Sequence, residues 1–380
     1  MSDTTDTDMA RGTPTGSYFA QELREQPDAI RASLAVARDG WQAIAQFAVG
    51  ADRVLVVGSG DSFFLAHAVV PAFEELTGIP AEGVEAYDFV TARLGALSER
   101  TLVVGVSASG KAVRTLQAVE LAARRGAFTV GITNTAGSPL AETARMALVT
   151  HAGPSYTFPT KTTTAAATVL AGLAAMLGRA RGRLGAENCQ GVHDELAETL
   201  PTAIETVLRS PAAEQLARVA TDLAGCRHLV FVGSGPGRAA ALVGAAKLHE
   251  TACRHALAVN AEEYLHLIGF AVGSDDGVVV IAPTGAAERE RQVAEYAARQ
   301  GARVVSLVRE ELASDWRDGE VVPLPTDGLA AWSGALVAMT ALHVLAERFS
   351  QVVGTNPDRP DTVDLDYVLG LLYTTPLEGW

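Results

Sequence analysis

RVLVVGSGDS, running from Arg53 to Ser62, decides the fold. Val54, Leu55, Val56 and Val57 form a short, wholly apolar run of the kind that is buried on both faces in a parallel sheet, and Gly58 and Gly60 end it in a tight turn. A helix is expected from Ser62 to Leu76, kinked or restarted at Pro71. Downstream, Leu102 to Val106 reads as a second strand ending in SASGK, Ala112 to Arg124 as a helix, and Ala127 to Thr133 (AFTVGIT) as a third strand. Strand, turn and helix in alternation predict a doubly wound α/β sheet. Upstream, Tyr18 to Val36 reads as an amphipathic helical entry interrupted at Pro27, and the polar residues 1–16 as a disordered tail.

The pattern occurs twice. Gly58 in VLVVGSG matches Gly233 in LVFVGSG, Gly110 in VSASG matches Gly285 in APTG, and Gly126 in RGAFTVGIT matches Gly301 in QGARVVSLV, each pair 175 residues apart. A constant offset over three landmarks predicts two copies of one unit. The fold class expected is therefore α/β, two tandem doubly wound parallel-sheet domains of flavodoxin-like form. The first spans 17–185 with its N-terminal helix, and a linker helix (186–211) carries the Gly- and Pro-containing joint. The second spans 212–352, and the tail 353–380 is expected to close over a site.

Composition narrows the class. Hydrophobic residues at 48% against charged residues at 19% describe a globular chain, and a net charge of −14 opposes a nucleic-acid or anionic-membrane surface. The three cysteines, Cys189, Cys226 and Cys253, have no CxxC spacing and fit a reduced, cytoplasmic setting. The N-terminus lacks an apolar core for a signal or anchor, and the apolar run from Ala165 to Leu177 is too short to span a bilayer.

Candidate chemistry concentrates in GAAKLHETACRHALAVNAEEYLHLIGF, Gly244 to Phe270. A helix from Gly237 to about Arg254 places Lys247 and Glu250 three apart on one face, and His266 follows a turn near Val259 to Ala261. A glutamate buried among apolar residues, with its pKa raised, and a histidine titrating near neutrality suit proton transfer on and off carbon and oxygen. The plainer alternative is a Lys-Glu surface pair and a core histidine. SASGK, Ser107 to Lys111, opens a helix directly after a strand, where the hydroxyls of Ser107 and Ser109, free N–H groups and Lys111 suit a phosphate. GSGDS (Gly58 to Ser62) lacks the third glycine of a dinucleotide fingerprint, Phe63 standing in its place, and GSGPGR fails likewise at Arg238. Gly60, Ser62 and Ser234 are read as sugar contacts instead. TFPTKTTT, Thr157 to Thr164, begins a helix in which Thr160 and Lys161 close over a ligand, unless it is an ordinary solvated helix start. His249 and His255 are expected on different faces, so no metal is predicted, and no cofactor.

The repeat is informative where it breaks. The second copy has Ala282, Pro283, Thr284 and Ala286 where the first has Ser107, Ala108, Ser109 and Lys111, and the first has Ala72, Glu75 and Thr91 where the second has Lys247, Glu250 and His266. The halves divide the labour, with the hydroxyl cradle in one and the full trio in the other.

Taken together, EQPDAI (Glu25 to Ile30), GSGDS, SASGK, TNTAGSPLA (Thr133 to Ala141), AAKLHE (Ala245 to Glu250), His266 and GTNPDRP (Gly354 to Pro360) resemble the sugar isomerase (SIS) domain family. The likeness is to the tandem arrangement found in the isomerase half of glutamine-fructose-6-phosphate amidotransferase and in fructosamine-6-phosphate deglycases. The resemblance implies that Ser62, Ser107 and Ser109 hold a sugar phosphate and that Glu250 moves a proton between C1 and C2. It also implies that His266 assists ring opening or acts as the acid, reaching the site from a neighbouring subunit of a homodimer. Two departures set the expected subclass. No glutaminase region precedes Tyr18, and the family's Schiff-base lysine aligns near Leu365, with no lysine after Lys247. Amide transfer is therefore not expected. The expectation is a deglycase or deaminase acting on an aminated sugar 6-phosphate; the alternatives are an aldose-ketose isomerase and a sugar-phosphate sensor without turnover. The implied partner is a small phosphorylated amino sugar, not nucleic acid or membrane.

Overall fold

Runs of valine favour extended backbone, and here they are collected in two sheets. The computed structural model describes residues 17–209, 211–285, 287–359 and 364–374; the tail expected at 1–16 and part of the one expected at 353–380 lie outside them. Among the described residues the chain divides into two units, one comprising 26–154, 161–201 and 364–374 and the other 17–25, 155–160 and 202–359. The first holds β1 (Arg53–Gly58), β2 (Ala81–Glu85), β3 (Thr101–Val106), β4 (Phe128–Thr133) and β5 (Met146–Val149) in the order β2-β1-β3-β4-β5. The second holds β6 (Leu229–Gly233), β7 (Ala256–Val259), β8 (Gly277–Ala282), β9 (Arg303–Arg309) and β10 (Glu320–Leu324) in the order β10-β9-β8-β6-β7. All neighbours are parallel. Read from the other edge, the second sheet repeats the first, strand for strand. This is the flavodoxin-like order, and it places a ligand crevice at the carboxyl ends of β1 and β3, or of β6 and β8, where the connections diverge.

The apolar strands are buried on both faces, so alternate residues serve two cores. Leu55, Val57 and Val103 join Val84, Phe89, Ala118 and Ala122 in one cluster beneath the Val113–Arg124 helix. In the second unit Val230, Val232, Val278 and Val280 meet Val293, Ala294 and Trp316. The four edge strands β2, β5, β7 and β10 were not foreseen, because AEGVE, MALV, ALAV and EVVPL carry no long β-branched run.

Prolines interrupt less than expected. The entry helix breaks at Glu25, between the Tyr18–Arg24 and Gln26–Ala48 helices, and Pro27 stands in the first turn of the second, where its missing N–H is no loss. The Asp61–Thr77 helix runs through Pro71. At Pro201 the chain passes from the Ala186–Asp194 helix through a π-turn, Glu195–Thr199, into the Leu200–Arg209 helix. The wider turn just ahead of the proline absorbs the lost hydrogen bond.

Two helices, Lys161–Ala180 and Ala331–Val353, are long and apolar enough to cross a membrane, which corrects the expectation that no stretch is. Both are mostly buried, and their apolarity is used in the core. Lys161–Ala180 packs against Gln26–Ala48, where the indole of Trp41 lies so close to Gly172 that a Cβ there would come within 2.3 Å of the ring. Trp41 Nε1 donates to Val169 O at 2.9 Å, and His193 stacks on the same indole.

The second unit is fastened from the far end of the chain. Asp358 accepts hydrogen bonds from the N–H groups of Tyr18 (2.8 Å) and Phe19 (2.7 Å), while Ser17 caps the same helix from its own N-terminus. Buried Glu22, one turn on, accepts from Tyr156 N–H at 2.6 Å and Ser155 Oγ at 2.8 Å. The DRP motif thus has a structural task. Asp358→Ala strands two helix-terminal donors and is expected to cost about 1–3 kcal/mol, read as a lower urea midpoint; Asp358→Asn, which keeps one acceptor, should recover part of it. An unchanged midpoint in Asp358→Ala would remove the capping role.

Candidate functional site

In the first-repeat unit the crevice is built by two glycines. A Cβ on Gly58 would meet the backbone of Ser62 at 2.7 Å, so only glycine lets the helix start this close to the strand end. Gly233 meets Gly237 in the same way in the second copy. Gly60 has φ 55 and leads into the Asp61–Thr77 helix without a side-chain cap, and Ser62 is its second residue. Across the crevice, Ser107, Ser109, Gly110 and Lys111 fold over the end of β3. Gly110 has φ 65, and a Cβ there would strike Ser138 Oγ at 2.1 Å. The Val113–Arg124 helix that follows starts from Ala112, again with no side-chain cap. Two helix N-termini with uncapped first-turn N–H groups therefore flank the crevice, a setting that favours an anion.

The loop is held from beneath. Ala108 O accepts from Asn134 N–H (2.9 Å) and Thr133 Oγ1 (3.2 Å), Gly110 O accepts from Leu140 N–H (3.0 Å), and Ser109 Oγ accepts from Lys111 N–H (3.2 Å). TNTAGSPLA is thus the support of the SASGK loop, a role that its turn residues could have suggested from sequence. Ser107 is buried, Ser62 and Ser109 half-buried, and Gly60 and Lys111 exposed. Thr160 and Lys161 are both buried at the start of the Lys161–Ala180 helix, which disposes of a solvated helix start. Near them Thr163 Oγ1 donates to Asp61 at 3.4 Å.

In the second-repeat unit the Gly237–Ala252 helix carries Lys247 and Glu250. Lys247 has no exposed surface, and its Nζ donates to Glu250 Oε2 at 2.6 Å. The side chain of Glu250 keeps 28% of its surface. The expectation of a buried glutamate is reversed, since the lysine is buried and the glutamate stands at the edge. The helix ends at Ala252 because Cys253 takes a left-handed conformation, φ 49, and turns the chain back. That reversal brings the rings of His249 and His255 together, 6.3 Å apart and edge to face, so the expectation that they diverge does not hold. Ala256 N–H donates to His249 Nε2 at 3.0 Å.

His266 is placed otherwise. It ends the Ala261–His266 helix, capped by Asn260 Oδ1 on Glu263 N–H, a start signal that the sequence NAEE carries. Its side chain is 78% exposed, and Nε2 lies 3.5 Å from Glu262, which also pairs with Arg289. The reading of His266 as a core histidine is excluded; within its unit its ion-pair partner is Glu262. Ser234 is engaged structurally, its Oγ accepting from Ala261 N–H at 3.1 Å. Its counterpart at the repeat offset, Ser59, bonds differently, its Oγ donating to the Glu85 carboxylate at 2.6 Å. Ser234 also borders a cavity of about 960 Å³ with Thr284, Arg289 and Trp316.

One group went unnoticed in the sequence. His343, on the Ala331–Val353 helix, is fully buried and neither ring nitrogen has a hydrogen-bond partner. Burial, with the nearby charge of Lys247, holds its pKa well below the usual histidine range. A lone histidine in AMTALHVLAERF gives no signal beyond apolarity around it.

These features fit one family. The sequence profile of the SIS domain matches residues 49–176 and 222–348, and the chain belongs to that family. It is 30% identical, over 93% of its length, to a glutamine–fructose-6-phosphate aminotransferase [isomerizing] of Thermococcus kodakarensis, of which it spans 58%. It is 31% identical over 90% of its length to the corresponding protein of Leifsonia xyli, of which it spans 57%. Among solved structures, the C-terminal domain of glucosamine-fructose-6-phosphate aminotransferase from Francisella tularensis superposes with a TM-score of 0.84 at 18% identity, covering 92% of this chain and all of that one. The tagatose-6-phosphate ketose/aldose isomerase of Escherichia coli gives 0.74 at 20% identity, covering 92% and 96%. Both structural likenesses speak to the fold.

The state of His343 has a thermodynamic consequence. In the unfolded chain it takes up a proton near pH 6.5, while in the folded chain it stays neutral, so its contribution is whole above that pH and is lost as the pH falls below it. His193, also lowered by burial, acts in the same direction, whereas Glu347, raised by burial, loses stability as the pH rises. The urea midpoint should fall between pH 7 and 5.5, by up to about 1.4 kcal/mol per pH unit from His343 alone. His343→Leu should flatten the slope; a parallel decline would show that the dependence arises elsewhere.

Proposed function

We propose that the chain is a sugar-phosphate enzyme of the isomerase type that acts on an aminated sugar 6-phosphate and releases its amine. The observation that carries this reading is the Lys247–Glu250 pair. A cation with no exposed surface, 2.6 Å from a carboxylate at the site's edge, holds that carboxylate in a fixed direction, as a positioned base for a carbon acid requires. The names of the relatives agree at this level: aminotransferase [isomerizing], ketose/aldose isomerase and, in Thermotoga maritima, a glucosamine-6-phosphate deaminase with a TM-score of 0.67 and 20% identity.

In the proposed reaction the phosphate lies against Ser62, Ser107 and Ser109 and the two uncapped helix N-termini, with Lys111 adding charge. Glu250 removes a proton from C1 of a ketose bearing the amine there, giving an enaminol. Returning the proton to C2 leaves a C1=N imine, and water hydrolyses it to the aldose phosphate and free amine. Leu365 stands near the position of the family's Schiff-base lysine, so the nitrogen has to arrive on the substrate. His266 is the proposed acid, acting in the partner subunit of a homodimer. Its exposure, with Leu267 and Phe270 beside it 62% and 76% exposed, supports an apolar surface that a second copy covers. An aldose-ketose isomerase shares every step to the enaminol and is the second reading, supported by the tagatose-6-phosphate isomerase likeness.

Amine release from fructosamine 6-phosphates and glucosamine 6-phosphate, with hydrogen exchange at C1 and C2 followed in deuterated water, tests the choice. Release establishes the proposed reaction. Exchange without release gives the isomerase, and binding alone gives a sensor. Glu250→Gln should reduce turnover by at least about 10³-fold while sugar-phosphate affinity changes little; unchanged turnover ends this mechanism.

A further inference from the structure

The loop after β8 is built differently from its counterpart after β3. In the first copy the loop is drawn down onto the connection that follows β4, since Leu140 N–H donates to Gly110 O at 3.0 Å. At the repeat offset Leu140 becomes Asp315, whose N–H donates to Leu312 O at 3.2 Å within its own turn. Among the described residues the clasp on Gly285 is missing, and the loop after β8 and the connection after β9 instead line the cavity of about 960 Å³ that Ser234 borders. Ile281, Pro283, Leu312, Trp316 and Ala331 give it apolar walls. It lies at the N-terminal end of the Gly237–Ala252 helix, whereas Glu250 stands near the other end, about 20 Å along the axis.

Charge separates the copies further. The Val113–Arg124 helix opens with Val113 and Thr115, and the matching Glu288–Arg299 helix opens with Glu288 and Glu290. A helix N-terminus attracts anions, and here the helix's own carboxylates already supply the charge. The cavity is lined by four carboxylate residues, Glu262, Glu288, Glu290 and Asp315, against Arg289 and Arg291. Both guanidiniums are taken, Arg289 by Glu262 and Arg291 by Glu288. Glu290 stands apart. It lines the cavity with 6% of its surface exposed, and among the described residues no hydrogen bond or ion pair engages its carboxylate. A carboxylate so buried calls for a cation or for several donors. Its counterpart Thr115, also buried, shows that the fold itself needs no charge at this place.

We propose that this second crevice binds a small organic amine, whose ammonium pairs with Glu290 while its apolar body lies against Leu312 and Trp316. The carboxylates disfavour a phosphate here, in contrast to the crevice of the first copy. The proposal goes beyond the function proposed above and needs no particular reaction at Glu250.

The test titrates the whole chain calorimetrically at pH 7.5 with benzylamine, and with benzyl alcohol, benzoate and inorganic phosphate at matched ionic strength. Benzylamine should bind at a single site per chain with a Kd of about 1 mM or tighter, and benzyl alcohol about tenfold more weakly or less tightly still. Glu290→Gln should weaken benzylamine about tenfold or more, while Glu288→Gln, on the exposed rim, changes it less than about twofold. Absence of benzylamine binding, equal binding of the alcohol, or equal losses in the two variants would overturn the proposal, the last by tracing the attraction to the rim. Displacement of benzylamine by benzoate or phosphate would make the crevice an anion site and overturn it as well. Without ligand, the urea midpoint of Glu290→Gln should equal or exceed that of the parent, because an unpartnered buried charge has been removed. Glu290→Thr, which installs the residue of the first copy, is run beside it. A clear fall of the midpoint in both variants would show that the carboxylate serves the fold and would end the proposal.

Discussion

A lysine without exposed surface has to be met by an opposite charge, and this requirement shapes the second-repeat unit. Desolvating an ammonium costs several kcal/mol, which the 2.6 Å contact with Glu250 has to offset. Because Glu250 sits one turn later on the same helix, the pair is local, and it needs only that the Gly237–Ala252 helix be held rigidly. Gly244 gives that rigidity by letting the neighbouring helix and Phe231 of β6 close on it. A carboxylate fixed by a buried cation keeps a defined direction at low cost in entropy, which a flexible surface glutamate does not.

The same fold makes two different crevices from one plan. Strand order and strand-end glycine are common to both, while the serines at the same offset bond differently, Ser59 donating to Glu85 and Ser234 accepting from Ala261 N–H. What differs is where polar groups were placed on that common frame. One copy keeps hydroxyls and uncapped helix ends in its crevice; the other has the buried ion pair and a histidine on a helix tip.

Much of this was legible in the sequence. The central strands β1, β3, β6, β8 and β9 are rich in valine, β4 (FTVGIT) is apolar and β-branched, and the constant offset of 175 residues is enough to expose the repeat. Edge strands were missed because a strand paired on one side needs no such run. Pro27 misled, since proline marks helix starts as well as breaks, and Pro201 was accommodated by a π-turn that no local signal announces. In the site, the spacing of Lys247 and Glu250 fixed their contact, but their burial was inverted, because a glutamate was expected to carry the desolvation that falls on the lysine. His266 stood out by type while its exposure was hidden. His343 was missed because nothing local in an apolar helix announces that both of its ring nitrogens are buried without a partner.

The bond from Asp358 to the Tyr18–Arg24 helix also governs how the chain can be made. That helix leaves the ribosome well ahead of its cap, which lies 340 residues later. At about 5–20 residues per second the helix waits roughly 20 to 70 seconds for its partner. The first repeat has all five of its strands by Val149 and can collapse early, while the second unit stays open at this helix until Asp358 has emerged. Through that interval the apolar face of the entry helix, Phe19 and Leu23, is available to whatever holds nascent chains.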